Sequence, residues 1–161
     1  MASDMFLDLD GIEGESKDKD FKDKIDIFSF SVNLNNAGAG HYGGGSGAGK
    51  ANISDFTIGK LVDKSSATLY KFCYQGKHIA TGTIHIRKAG GDSPVEYLKY
   101  EMSEVFISNV STSDSAGGGI ANETISLNFS KVKMTYKMQA DTGGDAASPD
   151  VTIDVKQNQV T

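Results

Sequence analysis

Tryptophan is missing from this 161-residue chain, proline occurs twice and cysteine once. With a single thiol, Cys73, no internal disulfide can form, which suits folding in a reducing compartment. No stretch approaches the roughly 18 consecutive apolar residues that a membrane-spanning helix needs, so membrane insertion is not expected. Residues 1–10 carry neither a basic region nor a long apolar run, so an ordinary secretory signal is not expected there. Positive charge is also in short supply: 16 Lys and Arg stand against 21 Asp and Glu, for a net charge of −5. Nucleic acid is therefore an unsuitable partner, because phosphates need clustered cations to neutralise them.

What is present points to a folded domain. Apolar residues make up 38% of the chain and charged residues 23%, a globular rather than a disordered balance. The length suits one domain over 1–161, large enough to fold around a core without metals or disulfides. The 19 glycines cluster, and between the clusters apolar and polar residues alternate, which is the strand signal. Residues 5–9 read as a first strand and 10–24 as a charged, exposed loop. Residues 25–35 read as one strand with Phe28, Phe30, Val32 and Leu34 on one face. Ser29, Ser31, Asn33 and Asn35 then occupy the other face, facing water or a cavity wall.

A Gly-rich loop follows over 38–49, then a strand over 53–61. The one helix is expected over 63–74. Asp63 or Ser65 caps its start, Leu69, Phe72 and Cys73 share a buried face, and Gly76 stops it. The second half reads as strands over 78–87, 96–112, 123–139 and 151–157. Two of these change phase midway. Leu98, Tyr100 and Met102 disagree in parity with Val105 and Ile107, and Ile125, Leu127 and Phe129 disagree with Val132, Met134, Tyr136 and Met138. A buried face that swaps sides marks a bulge or corner. At about 3.3 Å per residue the 123–139 run would span roughly 55 Å, so it must coil round a barrel or cross between sheets. The composite is mainly β: an antiparallel β-barrel or sandwich with one docked helix.

Motifs for chemistry fail on their physical requirements. The run Gly44-Gly45-Ser46-Gly47-Ala48-Gly49-Lys50 comes close to a phosphate-binding loop. That loop needs a hydroxyl after the lysine to hold magnesium, where Ala51 stands, and a helix immediately afterwards, where a strand is expected. Gly38-Ala39-Gly40-His41-Tyr42-Gly43 matches a dinucleotide fingerprint in spelling but lacks the βαβ setting. His41, His78 and His85 have no zinc-site spacing, and Gly45-Ser46-Gly47 supplies no nucleophile elbow. Neither a catalytic set, a cofactor nor a metal is therefore expected. The glycines suit a pliant arm that a partner orders.

The segments, in order, resemble a known family. Asp4-Met5-Phe6-Leu7, Gly14-Glu15-Ser16 and Ile25-Asp26 resemble the start of the haemolysin-coregulated protein (Hcp) family. So do His41 with Gly43-Gly44-Gly45-Ser46-Gly47-Ala48-Gly49-Lys50, then Asp63-Lys64-Ser65-Ser66, Cys73 and Gly76-Lys77-His78. Ile86-Arg87-Lys88-Ala89-Gly90-Gly91, Val95-Glu96-Tyr97-Leu98 and Leu127-Asn128-Phe129 continue the likeness, which covers almost the whole chain up to Gln139. Phe21 and Lys24 stand where the family pattern leads one to expect His and Glu, and Phe30 where Trp is common.

This resemblance implies a two-sheet β-barrel, like a phage tail-tube protein, with a flanking helix. It implies a structural subunit of the type VI secretion tube: hexameric rings that stack inside a contractile sheath, carry a spike at the tip and hold small effector proteins. Such a protein starts in the bacterial cytoplasm and leaves the cell without a signal peptide. On this reading the arm Gly38, Gly40, His41, Gly43, Gly44, Gly45, Gly47, Gly49 and Lys50 contacts a neighbouring subunit or ring, and Ser29, Ser31 and Asn33 face the lumen. A rival reading is a monomeric ligand- or carbohydrate-binding β-barrel, which would show clustered exposed aromatics. A hydrolase would need a nucleophile–base set.

Overall fold

A computed structural model describes residues 3–38, 48–88, 94–138 and 147–161. Its strands, in chain order, are β1 (Ser3–Leu9), β2 (Ile25–Ile27), β3 (Ser29–Ser31), β4 (Leu34–Gly38), β5 (Ala48–Ile53) and β6 (Phe56–Leu61). The helix α1 (Ser66–Gln75) follows, then β7 (His78–Lys88), β8 (Val95–Ser113), β9 (Asn122–Asn128), β10 (Lys131–Tyr136), β11 (Asp150–Asp154) and β12 (Gln159–Val160). The expected class is what the structure shows: mainly β, antiparallel, with one flanking helix.

The long strand β8 organises the ladders. One run leads from it through β7 and β1 to β2, and the other through β9 and β6 to β3. Phe28 alone separates β2 from β3 along the chain, so both runs end on residues 25–31. Inside this wrap lie Leu7, Ile25, Phe56, Ile84, Val105 and Ile125, all fully buried. From the first half of β8 the sheet also extends outward through β10 and β11 to β12.

Both phase changes read in the sequence correspond to breaks in regular pairing. In β8, Met102 and Val105 both face the core, and between them Glu104 takes a left-handed φ of 52°. In the 123–139 run the strand is interrupted after Asn128. Asn128 pairs with Phe106 and Lys131 with Ser103, so β9 and β10 follow one another along the same edge of β8. The break lets Leu127 and Val132, of opposite parity, both be buried.

Three expectations need correction. Residues 25–35 are not one strand: they divide into β2, β3 and the start of β4. The true parity starts with Ile25 and Ile27 inside and slips at Phe28, so Phe28 and Leu34 are exposed while Phe30 and Val32 pack against the core. Residues 53–61 are likewise two strands, parted at Ser54 and Asp55. Residues 10–24 are not simply an exposed loop. Ile12 and Ser16 are buried, and Phe21 stacks on Phe6 of β1 with ring centres 4.5 Å apart.

The helix matches its expected face: Leu69 is fully buried, and Phe72 and Cys73 pack beside it. Its start lies a little later than expected. Asp63 does not occupy the cap position. Its carboxylate instead accepts the backbone N–H of Ser65 at 2.9 Å and organises the turn before the helix. Gly76 ends the helix in the left-handed region, φ 63°, where it carries no Cβ penalty.

Candidate functional site

The Gly-rich arm is part strand. β4 and β5 pair as a separate two-stranded sheet, Leu34 opposite Ile53 and Gly38 opposite Ala48, with an irregularity between Asn36 and Gly38. All β4 side chains are exposed. The expectation of a loop across 38–49 is thereby corrected at both ends, since Gly38, Gly49 and Lys50 belong to strands. Gly40, His41, Gly43, Gly44, Gly45 and Gly47 lie outside the described residues. Lys50 and Ala51 sit inside β5 rather than at a helix start, so the phosphate-loop geometry is absent there.

At the root of this hairpin, Asn33 accepts the Ser54 N–H through its carbonyl at 2.8 Å, and its own N–H donates to Ser54 Oγ at 2.9 Å. Beside the root, Val32, Leu34 and Ile53 face Met134, Val151 and Ile153 across an apolar groove of about 170 Å³.

The three residues read as one polar row are all exposed, but they divide between two places. Ser29 and Ser31 stay together on the outer side of β3, opposite Gly59 and Thr57 of β6. Asn33 belongs to the hairpin root. The polar side of β3 continues across the neighbouring strands. Thr57 pairs with Ser126, Gly59 with Thr124 and Leu61 with Asn122. Asn109, Ser111 and Ser113 of β8 then pair with Ser126, Thr124 and Asn122. No residue of this row across β3, β6, β9 and β8 ionises, in a chain where 23% of residues are charged. Asp55 stands at its edge, held by Ser108 Oγ at 2.6 Å and Asn128 Nδ2 at 2.9 Å.

Charge is instead placed inside and on the opposite flank. Lys60 is fully buried, and its ammonium donates to Glu123 Oε1 at 2.9 Å, Asp63 Oδ1 at 3.0 Å and the Leu61 carbonyl at 2.8 Å. Ser66 Oγ, in the first turn of the helix, also donates to Glu123 at 3.0 Å. The cluster thus ties α1 to β6 and β9. On β7, nearly buried Arg87 binds Asp18, Asp4 and Asp20, and its guanidinium lies over Phe6 and Phe21. The Arg87 hydrogen bond is the largest influence on Asp18 and brings its pKa down to about 2. His85 Nδ1 lies 2.5 Å from Glu96 Oε2, with its ring 4.8 Å from Phe21.

Sequence reasoning missed Lys60, Glu123 and Arg87. A signal existed for the first two: Lys60 shares parity with Phe56 and Ile58, and Glu123 with Ile125 and Leu127, all buried. Among the described residues no group of His, Cys, Asp and Glu is arranged to hold a metal ion. The open cavity of about 690 Å³ beside the 10–24 loop is lined by charges that pair with each other, Lys24 with Asp8 and Lys64 with Glu13.

Fold and site together define a class: a mainly β, antiparallel domain with a flanking helix, a separate β4–β5 hairpin and, across β3, β6, β9 and β8, a row of side chains none of which ionises. The family model described as "Type VI secretion system effector, Hcp" matches residues 6–136. Protein hcp1 of Pseudomonas aeruginosa is 46% identical over 149 residues, which is 92% of this chain and 92% of that protein. The crystal structure of Hcp1 from Salmonella typhimurium superposes with a TM-score of 0.81 at 34% identity, covering 100% of both chains. The structure of a type six secretion system protein superposes with a TM-score of 0.92 at 26% identity, covering 99% of this chain and 100% of that one. The chain belongs to the Hcp family of type VI secretion.

Proposed function

We propose that the whole chain is one tube-subunit domain that closes into hexameric rings, and that these rings stack into the inner tube exported by the type VI machine. The observation that carries this reading is the uncharged face across β3, β6, β9 and β8. A wall along which varied cargo slides must neither hold charged surfaces electrostatically nor offer a large apolar patch. Ser29 and Ser31 lie on this wall, and Asn33 marks where it meets the hairpin.

The β4–β5 hairpin supplies a heterologous contact, which a rotationally closed ring or a stack requires. Its outer edges carry unpaired backbone groups suited to completion by another copy. The protein's work is assembly and carriage rather than catalysis. Its partners are further copies of itself, a spike protein, the sheath and small effectors, with neither nucleic acid nor a lipid bilayer among them. Export follows a route independent of a signal peptide.

Light scattering on size-exclusion peaks tests the assembly. Hexamers, with annuli in electron micrographs, are expected; a monomer at every concentration would end the proposal.

A further inference from the structure

Methionine is apolar and flexible until a peroxide reaches its sulfur, when it becomes a polar sulfoxide. Access to the methionines of this chain is uneven. Met102 is 1% exposed, and Met5 packs against the same core. Met134, in β10, is 36% exposed, and Met138, beyond the end of β10, is 51% exposed. The two reachable side chains sit in different surroundings. Met134 pairs across the ladders with Tyr100 of β8 and Val151 of β11, so the three share one face. That face forms one wall of the apolar groove of about 170 Å³. Leu34 and Ile53, the first pair of the β4–β5 hairpin, stand on the other side. Met138 does not line this groove. Burial pushes the Tyr100 hydroxyl above its usual range, so the wall is poor in water. Among the described residues the hairpin forms a sheet of its own, without a ladder to the larger one. Its seat on the body therefore depends on side chains such as these.

We propose that Met134 is an oxidation-sensitive modification site, and that its sulfoxide unseats the β4–β5 hairpin. The oxidant is a two-electron oxygen donor such as hydrogen peroxide. The Sδ lone pair attacks one peroxide oxygen, and the S–O bond forms as the O–O bond breaks. The proton on the transferred oxygen passes to the departing one, which leaves as water. Sulfur is oxidised by two electrons and the peroxide is reduced by two. The new S–O dipole draws water into the groove, and Leu34 and Ile53 lose an apolar partner across it. Reduction of the sulfoxide restores the thioether, so the switch runs both ways. It lies within one subunit and does not depend on how copies assemble.

Trypsin cuts after Lys133 and Lys137, which places Met134 and Met138 in separate peptides. The full-length chain is treated with dilute hydrogen peroxide, and the gain of about 16 Da per sulfoxide is followed by mass spectrometry. Met134 and Met138 should both oxidise at least roughly tenfold faster than Met102. Amide hydrogen exchange over β4 and β5 should then quicken roughly fivefold, with β7 and β8 unchanged. Methionine sulfoxide reductase should restore the parent rate. Met134→Leu should keep slow exchange and lose the response, because the groove stays apolar. Met138→Leu should respond as the parent does. Met134→Gln, polar from the start, should exchange fast without oxidant.

An unreactive Met134 beside an oxidised Met138 overturns the assignment. Unchanged hairpin exchange once Met134 is oxidised, or an equal response from Met134→Leu, does the same. Acceleration in β7 and β8 to the same degree as in the hairpin would mark general unfolding and also refute the switch.

Discussion

Lys60 and Glu123 meet with both side chains fully buried, out of reach of bulk solvent, and each depends on the other. Lys60→Met strands the Glu123 carboxylate and is expected to cost about 3–5 kcal/mol in urea unfolding. Adding Glu123→Leu should recover much of that loss, because removing both charges also removes the desolvation penalty. A double variant no better than the single one would show that the pair contributes more than mutual neutralisation.

Asp18 gives a pH dependence. In the unfolded chain it titrates near 3.8, and beside Arg87 near 2. The unfolded state therefore takes up this proton first as pH falls. The stabilisation is complete well above pH 3.8 and disappears as pH approaches 2. The Tm difference between the parent and Asp18→Asn should be widest near neutrality and close towards pH 2; a constant difference would contradict the ion pair.

Gly14 has a different constraint. A Cβ there would sit 2.4 Å from the Lys24 carbonyl oxygen. Gly14→Ala should cost about 2–3 kcal/mol and undock residues 10–24, seen as faster proteolysis of that segment.

Strand by strand, the bends follow from where apolar parity fails. Glu104 holds a left-handed φ inside β8, with its carboxylate paired to Lys156. A β-branched side chain tolerates that conformation least, so Glu104→Val should be roughly 1–2 kcal/mol less stable than Glu104→Gly. Both lose the ion pair, so the difference between their urea midpoints isolates the backbone.

The β8 and 123–139 corners were legible in the sequence because long apolar runs sat on both sides of each slip. The slip at Phe28 was not. Phe28, Phe30, Val32 and Leu34 alternate faultlessly among themselves, and only the odd-numbered Ile25 and Ile27 contradict them. Side-chain identity could not reveal that Gly59 opens space for an aromatic ring on the outside. The 10–24 loop read as exposed because it is rich in charge. Its attachment depends on Arg87, Phe6 and His85, partners more than sixty residues away or on another strand.

On the proposed ring-and-tube assembly, expectations concern copies of the chain rather than one. Replacing Gly43, Gly44 and Gly45 together with bulky residues should leave the far-ultraviolet spectrum and Tm of the subunit unchanged while tubes shorten or fail in micrographs. Normal tubes would remove the arm from the junction. Placing lysine at both Ser29 and Ser31 should leave annuli intact but prevent co-purification of cargo; unchanged cargo retention would move the binding wall elsewhere.

The strand β8 is clasped by β7 along one edge and by β10 and then β9 along the other. Three ladders consequently share a single spine, and none of β7, β9 and β10 can peel away without exposing it. Amide hydrogens of Met102, Val105 and Ile107 should therefore exchange with solvent only when the entire subunit opens. The part of the chain clasped to this spine yields to tension as one unit: β7, β8, β9 and β10 hold together up to a limit and then part together.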